Sequence, residues 1–434
     1  MDFTSIKFRP YKYKVEKMTL KIPGYGDYEV DPKYVTRIII DKDYDNYIYP
    51  YFEVSMTVPN KVYRAANKEN IDIRAYIHIV GGFSDIANIE EDYSPDNEYN
   101  EEDYIHWTDE IINANMYCFT DESTVDLSES IDKEAEENDD TGGEMGITNN
   151  SVLTVSLYNE DYLFKLKETV NTVLNGVTTT EGMAYILNKV GVDHILCSPA
   201  TNEQTYDELL LPPNSAAENL DYLANNYAMH ECGTLVFFDF RWGYILNKDS
   251  ECTAYETNES TTTYITSVTR NDQSVFAKSG SAFIDNCGVV NLTAGAYQFS
   301  TPSVVNDQKY GSNVVTIDSR TGEVNQLDST ATTGKNGGSS QVYTVESGED
   351  ASVATAATLK QASMQGILNL SDTNFNFFYP NKEIVVSIDN TSLSKYNGSY
   401  RVSKMSAKLA ASGGIMCSSV AVTILGYGGE GSAS

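Results

Sequence analysis

Two stretches near the start of the chain alternate with a strict period of two. In YFEVSMTV, Phe52, Val54, Met56 and Val58 fall on one side, and Tyr51, Glu53, Ser55 and Thr57 on the other. In IDIRAYIHI, Ile71, Ile73, Ala75, Ile77 and Ile79 do the same, with His78 on the polar side. A β-strand sends successive side chains to opposite faces, so alternation this regular means strands with one buried face. A helix would scatter the same residues around its circumference. His78 reads as a solvated strand histidine, not a ligand. Pro50 and Pro59-Asn60 bracket the first strand as turn signals.

The same chemistry returns at the far end. In KEIVVSI, Ile384, Val386 and Ile388 share a face, and YNGSYRVSKMSAKL and IMCSSVAVTIL come after it, with Asn397-Gly398 as a tight-turn dipeptide. The middle, about 151–250, is different. DYLFKLKETVNTVL and EGMAYILNKVG have helical spacing, and Gly191 is placed to cap the second helix. In LPPNSAAENLDYLANNYAM, Ser215 and Glu218 form a capping-box pair, and Leu220, Leu223, Tyr227 and Met229 make an apolar stripe. GTLVFFDFRWGYILN reads as a strand, a turn near Arg241-Trp242-Gly243, and a second strand. A short helix is expected in ATAATLKQASMQGIL.

Charge divides the chain further. Residues 89–103 carry acids and no base, and residues 121–144 hold a single base, Lys133. A run that repels itself and lacks apolar anchors reads as a mobile linker. The calcium-loop spacing of alternating Asp or Asn, then Gly and a later Glu, is absent from it. Residues 301–352 are rich in Ser, Thr, Gly and Asn, which suits a long insertion or loop. The net charge of −32, from 62 acidic against 30 basic residues, excludes a chain that grips a nucleic-acid backbone. Such binding needs phosphate neutralisation. The 31 tyrosines fit both strand propensity and interfaces.

The opening MDFTSIKFRPYKYKVEK lacks an apolar signal-peptide core. No apolar run approaches the roughly 18 residues of a membrane-spanning helix, so no stable membrane insertion is expected. The six cysteines (Cys118, Cys197, Cys232, Cys252, Cys287 and Cys417) have no CxxC spacing. They read as reduced, mostly buried thiols of a chain made in a cytoplasm.

The densest group of reactive residue types is His230-Glu231-Cys232. The zinc-protease motif needs a second histidine at 234, where this chain has Thr234. A Cys232–His194 pair lacks any recognisable nucleophile context. Gly334-Lys335 is followed by Asn336, which is not a phosphate-binding loop. Spacing selects no carboxylate pair for glycoside cleavage. No catalytic, cofactor-binding or metal-binding residue is assigned, no cofactor is expected, and the chain does not read as an enzyme. His230, Glu231 and Cys232 read as the frayed end of a capped helix. Phe237, Phe238, Phe240 and Trp242 are expected to anchor the middle domain, with Asp239 and Arg241 pairing or capping the turn.

Three segments together resemble the phage baseplate or tail hub family of the late-control protein D type. VTRIIIDKDYDNYIYPYFEVSMTVPNKVYRAANKENIDIRAYIHI, a strand–loop–strand–strand block, looks like the first tube-like domain of that family. LPPNSAAENLDYLANNYAMHECGTLVFFDFRWGYILN supplies a capped helix ending at Tyr227 and a hairpin carrying Phe238, Asp239, Tyr244 and Leu246. ATLKQASMQGILNLSDTNFNFFYPNKEIVVSI with the closing strands looks like the second tube-like domain, with a turn around Tyr379-Pro380-Asn381.

The resemblance implies an α+β fold, mainly β: two tube-like antiparallel β-barrel domains flanking an α/β middle domain. The implied divisions are 1–120 for the first tube-like domain, 121–150 for the acidic linker and 151–250 for the accessory domain. The second tube-like domain is 251–300 with 353–427, interrupted by the insertion 301–352 and succeeded by a flexible tail at 428–434. The implied function is a trimeric baseplate hub of a contractile tail, joining the six-fold tail tube to the three-fold central spike and lining the channel for DNA. Implied partners are two further copies, the tail tube protein or distal tube initiator, the spike, the tape measure protein and the baseplate wedges, with DNA only in transit. The place of action is the virion tail. A basic arm of Lys7, Arg9, Lys12, Lys14, Lys17 and Lys21 would either dock on an acidic neighbour or stay solvated. The rival readings are a tail-associated cell-wall hydrolase and a β-rich receptor- or glycan-binding tail protein.

Overall fold

A computed structural model of the chain describes residues 10–68, 71–84, 101–120, 150–201, 204–227, 229–230, 233–240, 242–248, 261–265, 282–284, 290–293, 296–300, 313–318, 324–327, 340–345, 365–388, 396–412 and 414–426. The first strands in chain order are β1 (Tyr11–Ile22), β2 (Gly26–Val30), β3 (Val35–Asp43) and β4 (Tyr51–Pro59). After helix α1 (Asn60–Ala66) come β5 (Ile73–Ser84), β6 (Ile105–Thr120) and β7 (Asn150–Asn159). The inward faces of β4 and β5 are the alternating sets read from the sequence: Phe52, Val54, Met56 and Val58, then Ile73, Ala75, Ile77 and Ile79, all buried.

β1 shows how sequence spacing encodes a kink. Tyr11, Tyr13 and Val15 point inward, and so do Met18, Leu20 and Ile22, with one residue too many between the two sets. A slip of one residue would turn the second set to solvent. The pairing of β1 with β5 absorbs the extra residue as a bulge between Val15 and Lys17.

The chain's last two strands complete this sheet. β3, β4, β7, β6, β5 and β1 are neighbours in that order. The gap between β1 and β3 is filled by a hairpin from the far end of the chain, Gly398–Ser412 and Ile415–Gly426. Its first strand pairs with β3 and its second with β1, so eight antiparallel strands form a closed ring. The ring is a packed core, not a pore: Tyr11, Tyr13, Leu20, Ile38, Phe52, Met116, Leu157, Met405 and Leu409 belong to one buried cluster.

The middle region continues with α2 (Glu160–Lys167), β8 (Thr169–Thr178), α3 (Thr179–Val190), β9 (Ile195–Cys197), β10 (Thr205–Ser215) and α4 (Ala216–Asn226), then β11 (Thr234–Phe238) and β12 (Gly243–Asn247). Helix α3 ends on Gly191 in the left-handed conformation at φ 72°, as expected for a glycine cap. Helix α4 opens with the Ser215–Glu218 capping box read from the sequence. Strands β11, β12 and β9 form a small sheet that packs on both faces. Leu235, Phe237, Tyr244 and Leu246 join the ring's core, while Val236, Phe238 and Ile245 join the helical core. This sheet is the shared wall between the two units. Phe240 and Trp242 pack against the ring's core, so the four aromatic anchors serve both units.

Beyond β12 the described strands are β13 (Thr261–Ile265), β14 (Ala282–Ile284), β15 (Val290–Thr293), β16 (Ala296–Ser300), β17 (Asn313–Asp318), β18 (Val324–Leu327), β19 (Ser340–Val345), β20 (Gln365–Ser371) and β21 (Glu383–Ile388), with the hairpin strands as β22 and β23. β21 extends the sheet from β22, and β13 and β15 continue it in parallel. β20 and β16 extend it from β23. The hairpin thus belongs both to the closed ring and to the open run β16–β20–β23–β22–β21–β13–β15–β14, a second sheet that is continuous with the ring through these two strands. The fold class is the one the sequence implied, mainly β with an α/β middle.

Several local expectations change. Pro59-Asn60 does not lead into a loop: Asn60–Ala66 is a helix with Val62, Ala65 and Ala66 buried. Proline is well placed just before a first helical turn, and the two alanines favour the turn after it. The helix in DYLFKLKETVNTVL stops at Lys167, because the β-branched run Thr169–Thr178 forms β8 instead. The insertion 301–352 contains a three-stranded sheet, β18–β17–β19. Gln365–Leu368 of the expected late helix is strand, and the rest of that helix lies outside the described residues, as do 121–144 and 428–434. Cys118 is buried but Cys417 is only partly so and Cys197 is exposed; the other three cysteines are not among the described residues. No helix among the described residues is long and apolar enough to cross a membrane.

Phe238 is 1% exposed between the rings of Tyr49 and Tyr162. Phe238→Ala is expected to cost about 3–5 kcal/mol in denaturant unfolding, because it opens a cavity in the wall between two cores. Phe164→Ala, at a ring 40% exposed, should cost far less.

Candidate functional site

Three places carry enough polar or aromatic chemistry to be sites: the cluster around His230, the junction beneath the hairpin, and an aromatic surface on β6 and β7.

His230 is fully buried, not the frayed helix end its sequence position suggested. Helix α4 ends at Asn226, and the chain then turns inward so that Met229 and His230 fill space against the small sheet. The ring Nε2 lies 3.1 Å from the Ser198 hydroxyl, which accepts a 3.0 Å hydrogen bond from the Asn247 amide. The Thr234 hydroxyl accepts from the Met229 amide at 2.8 Å. Burial pushes the imidazole down to about 4, so the ring is neutral near pH 7. Ser198 is itself buried, so this serine–histidine contact is a tie between β9, β12 and the α4 terminus. Glu231, Cys232 and Arg241 are outside the described residues. His194 sits apart, at φ 60°, with its ring 5.7 Å from that of Trp242. Among the described residues no group of three or more His, Cys, Asp and Glu side chains is placed to hold a metal ion. His78, with its side chain 21% exposed, has Glu16 at 3.2 Å on one ring nitrogen and Glu110 at 3.6 Å on the other.

The junction contains two buried ion pairs. Lys42 continues the inward register Ile38–Ile40 of β3, which places a charged group inside the fold. Asp239 accepts from its Nζ at 2.6 Å, and the rings of Phe240 and Phe375 lie 5.3 and 5.5 Å from the same nitrogen. Asp239 thus pairs with a strand of the ring, and its other carboxylate oxygen caps its own turn by accepting from the Phe240 amide at 2.8 Å. The second pair is Arg401 with Asp45 at 3.3 Å, with side chains 3% and 1% exposed. Arg401 also donates to the Asn381 side chain at 3.3 Å, and Ser403 donates to Asp45. Nearby the Tyr44 hydroxyl donates to the Phe378 carbonyl at 2.5 Å. These contacts bind β3, the hairpin and the turn around Tyr379-Pro380-Asn381 into one unit.

The described part of the basic arm, Lys12, Lys14, Lys17 and Lys21, is built into strand β1. Lys12 is 7% exposed on β1 and pairs with Asp372 at 3.1 Å, and Lys14 pairs with Glu102. Both charges are matched inside the chain. Lys7 and Arg9 lie outside the described residues.

The third place is on the surface. Tyr117 and Phe119 of β6, Tyr158 of β7 and Phe164 of α2 form a chain of edge-to-face rings with centroids 4.8, 5.5 and 5.6 Å apart. The Arg74 guanidinium lies 5.3 Å from the Phe164 ring centroid. Phe119 and Phe164 are 44% and 40% exposed. A cavity of about 440 Å³ opens among Phe119, Thr120, Ser156, Tyr158 and Leu163. Grouped exposed rings of this kind mark interaction surfaces.

The family assignment rests on the match of residues 25–425 to the family model described as Bacteriophage PBS1 gene 109 protein. The chain belongs to that family. The resemblance to a phage tail hub read from the sequence agrees with this membership. The chain is similar to a solved tail protein from Neisseria meningitidis MC58, with 9% identity over 95% of this chain and 96% of that one, at a TM-score of 0.49. It is similar to the 43 kDa tail protein of prophage MuSo2 from Shewanella oneidensis, with 11% identity over 94% and 96% of the chains and a TM-score of 0.48. A Francisella PdpA-VgrG complex matches at 9% identity over 98% of this chain and 59% of that one, with a TM-score of 0.47. No curated protein matches the chain.

Sequence reading missed both ion pairs, although one signal was present: Lys42 stands where β3's alternation calls for an apolar residue. A charge at an inward position needs a buried partner. Arg401→Ala is expected to cost about 3–5 kcal/mol in urea unfolding, because it leaves Asp45 buried without its cation. Replacing both partners with apolar residues should recover most of that loss. For His230 the sign is set by its depressed value. Below pH 6.5 the unfolded chain takes up a proton that the folded chain refuses, until about pH 4. The fall in pH from 7 to 4 should therefore remove about 3 kcal/mol of stability that His230→Gln does not lose, read as a narrowing gap in urea midpoints.

Proposed function

We propose that this chain is a structural hub of a phage tail baseplate, acting as a homotrimeric adaptor between the tail tube and the central spike. The observation that carries the reading is the C-terminal hairpin shared between the closed ring and the second sheet. A hub that adapts six-fold to three-fold symmetry needs two similar strand-built units per protomer in a fixed relation. Three protomers then offer six such units to the tube and three equivalent faces to the spike. One hairpin embedded in both sheets fixes that relation without a linker. Membership of a phage protein family supports the same setting.

The charge suits the role. A protein carrying −32 repels a passing DNA backbone and gives it nothing to stick to. The aromatic surface on β6, β7 and α2 has the composition of an interface core and is the part of the ring we assign to subunit or wedge contact. The role needs no reaction. In this reading the serine–histidine contact at Ser198 and His230 is a structural tie.

The test is the mass of the purified chain in solution at micromolar concentration, alone and mixed with the tail tube and spike proteins of the same phage. A trimer that binds both is expected. A strict monomer that binds neither would contradict the proposal. Phe119→Ser with Phe164→Ser should leave the fold intact and shift the chain toward monomer or weaken its binding to wedge proteins.

A further inference from the structure

The ring closes through a narrow seam. β1 and β23 share one registered pair, Tyr13 with Met416. The next position along an antiparallel register places Lys12 opposite Cys417, and the Lys12 Nζ lies 3.2 Å from the Cys417 Sγ. The same nitrogen has the Asp372 carboxylate 3.1 Å away. Asp372 holds the left-handed conformation at φ 48° and plugs the seam with its backbone. Its carbonyl accepts from the Tyr11 amide at 2.8 Å, and its own amide donates to the Ser418 carbonyl at 2.9 Å. A nearly buried amine, a partly exposed thiol and a carboxylate thus meet where the ring is held by fewest backbone bonds.

We propose that Lys12 and Cys417 form a covalent sulfur–nitrogen bridge under peroxide, a sulfenamide cross-link that locks the β1–β23 seam. Oxidation of protein thiols is selective for sulfur that is accessible and placed beside a cation. Among the described cysteines Cys417 has both properties. Cys118 is buried, and burial pushes its thiol well up. Cys197 is exposed, but its sulfur contacts the Ser198 carbonyl and the Met229 sulfur.

The chemistry balances with peroxide as the oxidant. The Cys417 sulfur attacks one peroxide oxygen, the O–O bond breaks, and the departing hydroxide leaves as water with the thiol proton. The sulfur has lost two electrons and is a sulfenic acid; the peroxide has been reduced. Burial favours the neutral amine of Lys12, but Asp372 and Cys417 together outweigh it, so the nitrogen starts as ammonium. It gives one proton to the Asp372 carboxylate, and the freed lone pair attacks the sulfur. The S–O bond breaks, the hydroxyl leaves as water with a second nitrogen-bound hydrogen, and an S–N bond remains. A thiol reductant reverses the bond by attacking sulfur and returning the amine.

Purified full-length chain is treated with hydrogen peroxide in slight excess, digested without reductant, and mapped by mass spectrometry. The expected result is a linked peptide pair joining Lys12 to Cys417, lighter than the two separate peptides by two hydrogens and released by dithiothreitol. In Lys12→Arg, which keeps a cation at the seam, the linked pair should be absent and Cys417 should run on to the sulfinic acid. Recovery of wild-type Cys417 unmodified, or as sulfinic or sulfonic acid with no linked peptide, would overturn the proposal. The wild-type map decides the matter even where the variant does not fold.

Discussion

The fold depends on one hairpin serving two sheets. Along β22, residues 398–401 pair with β21, while residues 404–410 pair with β3. Along β23, Met416 reaches β1 and residues 419–425 pair with β20. The change of partners coincides with a bulge between Val402 and Lys404. A bulge bends and twists a strand, which lets one strand leave one sheet and enter the next. The Arg401–Asp45 pair sits beside this bulge, and the Ser403 carbonyl accepts from the Tyr44 amide at 3.1 Å. The bend is therefore fixed by polar contacts as well as by packing.

Buried ion pairs are poor sources of stability, since desolvation offsets much of the attraction. Their position here suggests another use. Lys42–Asp239 joins the ring to the small double-faced sheet, and Arg401–Asp45 joins the ring to the hairpin's change of partners. A one-residue slip of β3 or β22 would turn Lys42 or Arg401 to the other face and leave Asp239 or Asp45 without its cation. Such a penalty makes wrong registers costly, and register matters most where the ring is closed by strands from opposite ends of the chain.

The legible parts of the sequence are those written in local periods and caps. Alternation reveals β4 and β5, and Gly191 and the Ser215–Glu218 box reveal α3 and α4. β8 is deceptive because Val170, Val173 and Leu174 have helical spacing, while Thr169, Val170, Thr172, Val173, Val177 and Thr178 are β-branched and favour a strand. Ring closure is not legible, because no local pattern says that β22 must meet β3. His230 is hidden for a related reason: its neighbours Ser198 and Asn247 lie far along the chain, and a residue just past a helix looks exposed by position alone. The inward lysine Lys42 is readable in principle, since it breaks an apolar register, but its partner Asp239 is not. Lys12 follows the alternation on the face opposite Tyr11 and Tyr13, so nothing local marks its burial or its partner Asp372.

The proposed hub role draws on the mechanical continuity of the fold. The double-faced sheet β9–β11–β12 transmits the position of the helical unit to the ring, and the hairpin transmits the position of the ring to the second sheet. A protein built this way suits a fixed place in an assembly. The most direct test is an averaged image of the phage particle with this chain located by a fused tag. Three copies around the axis where the tail tube meets the spike are expected; copies at the tips of tail fibres, or a particle without the chain, would contradict the hub role.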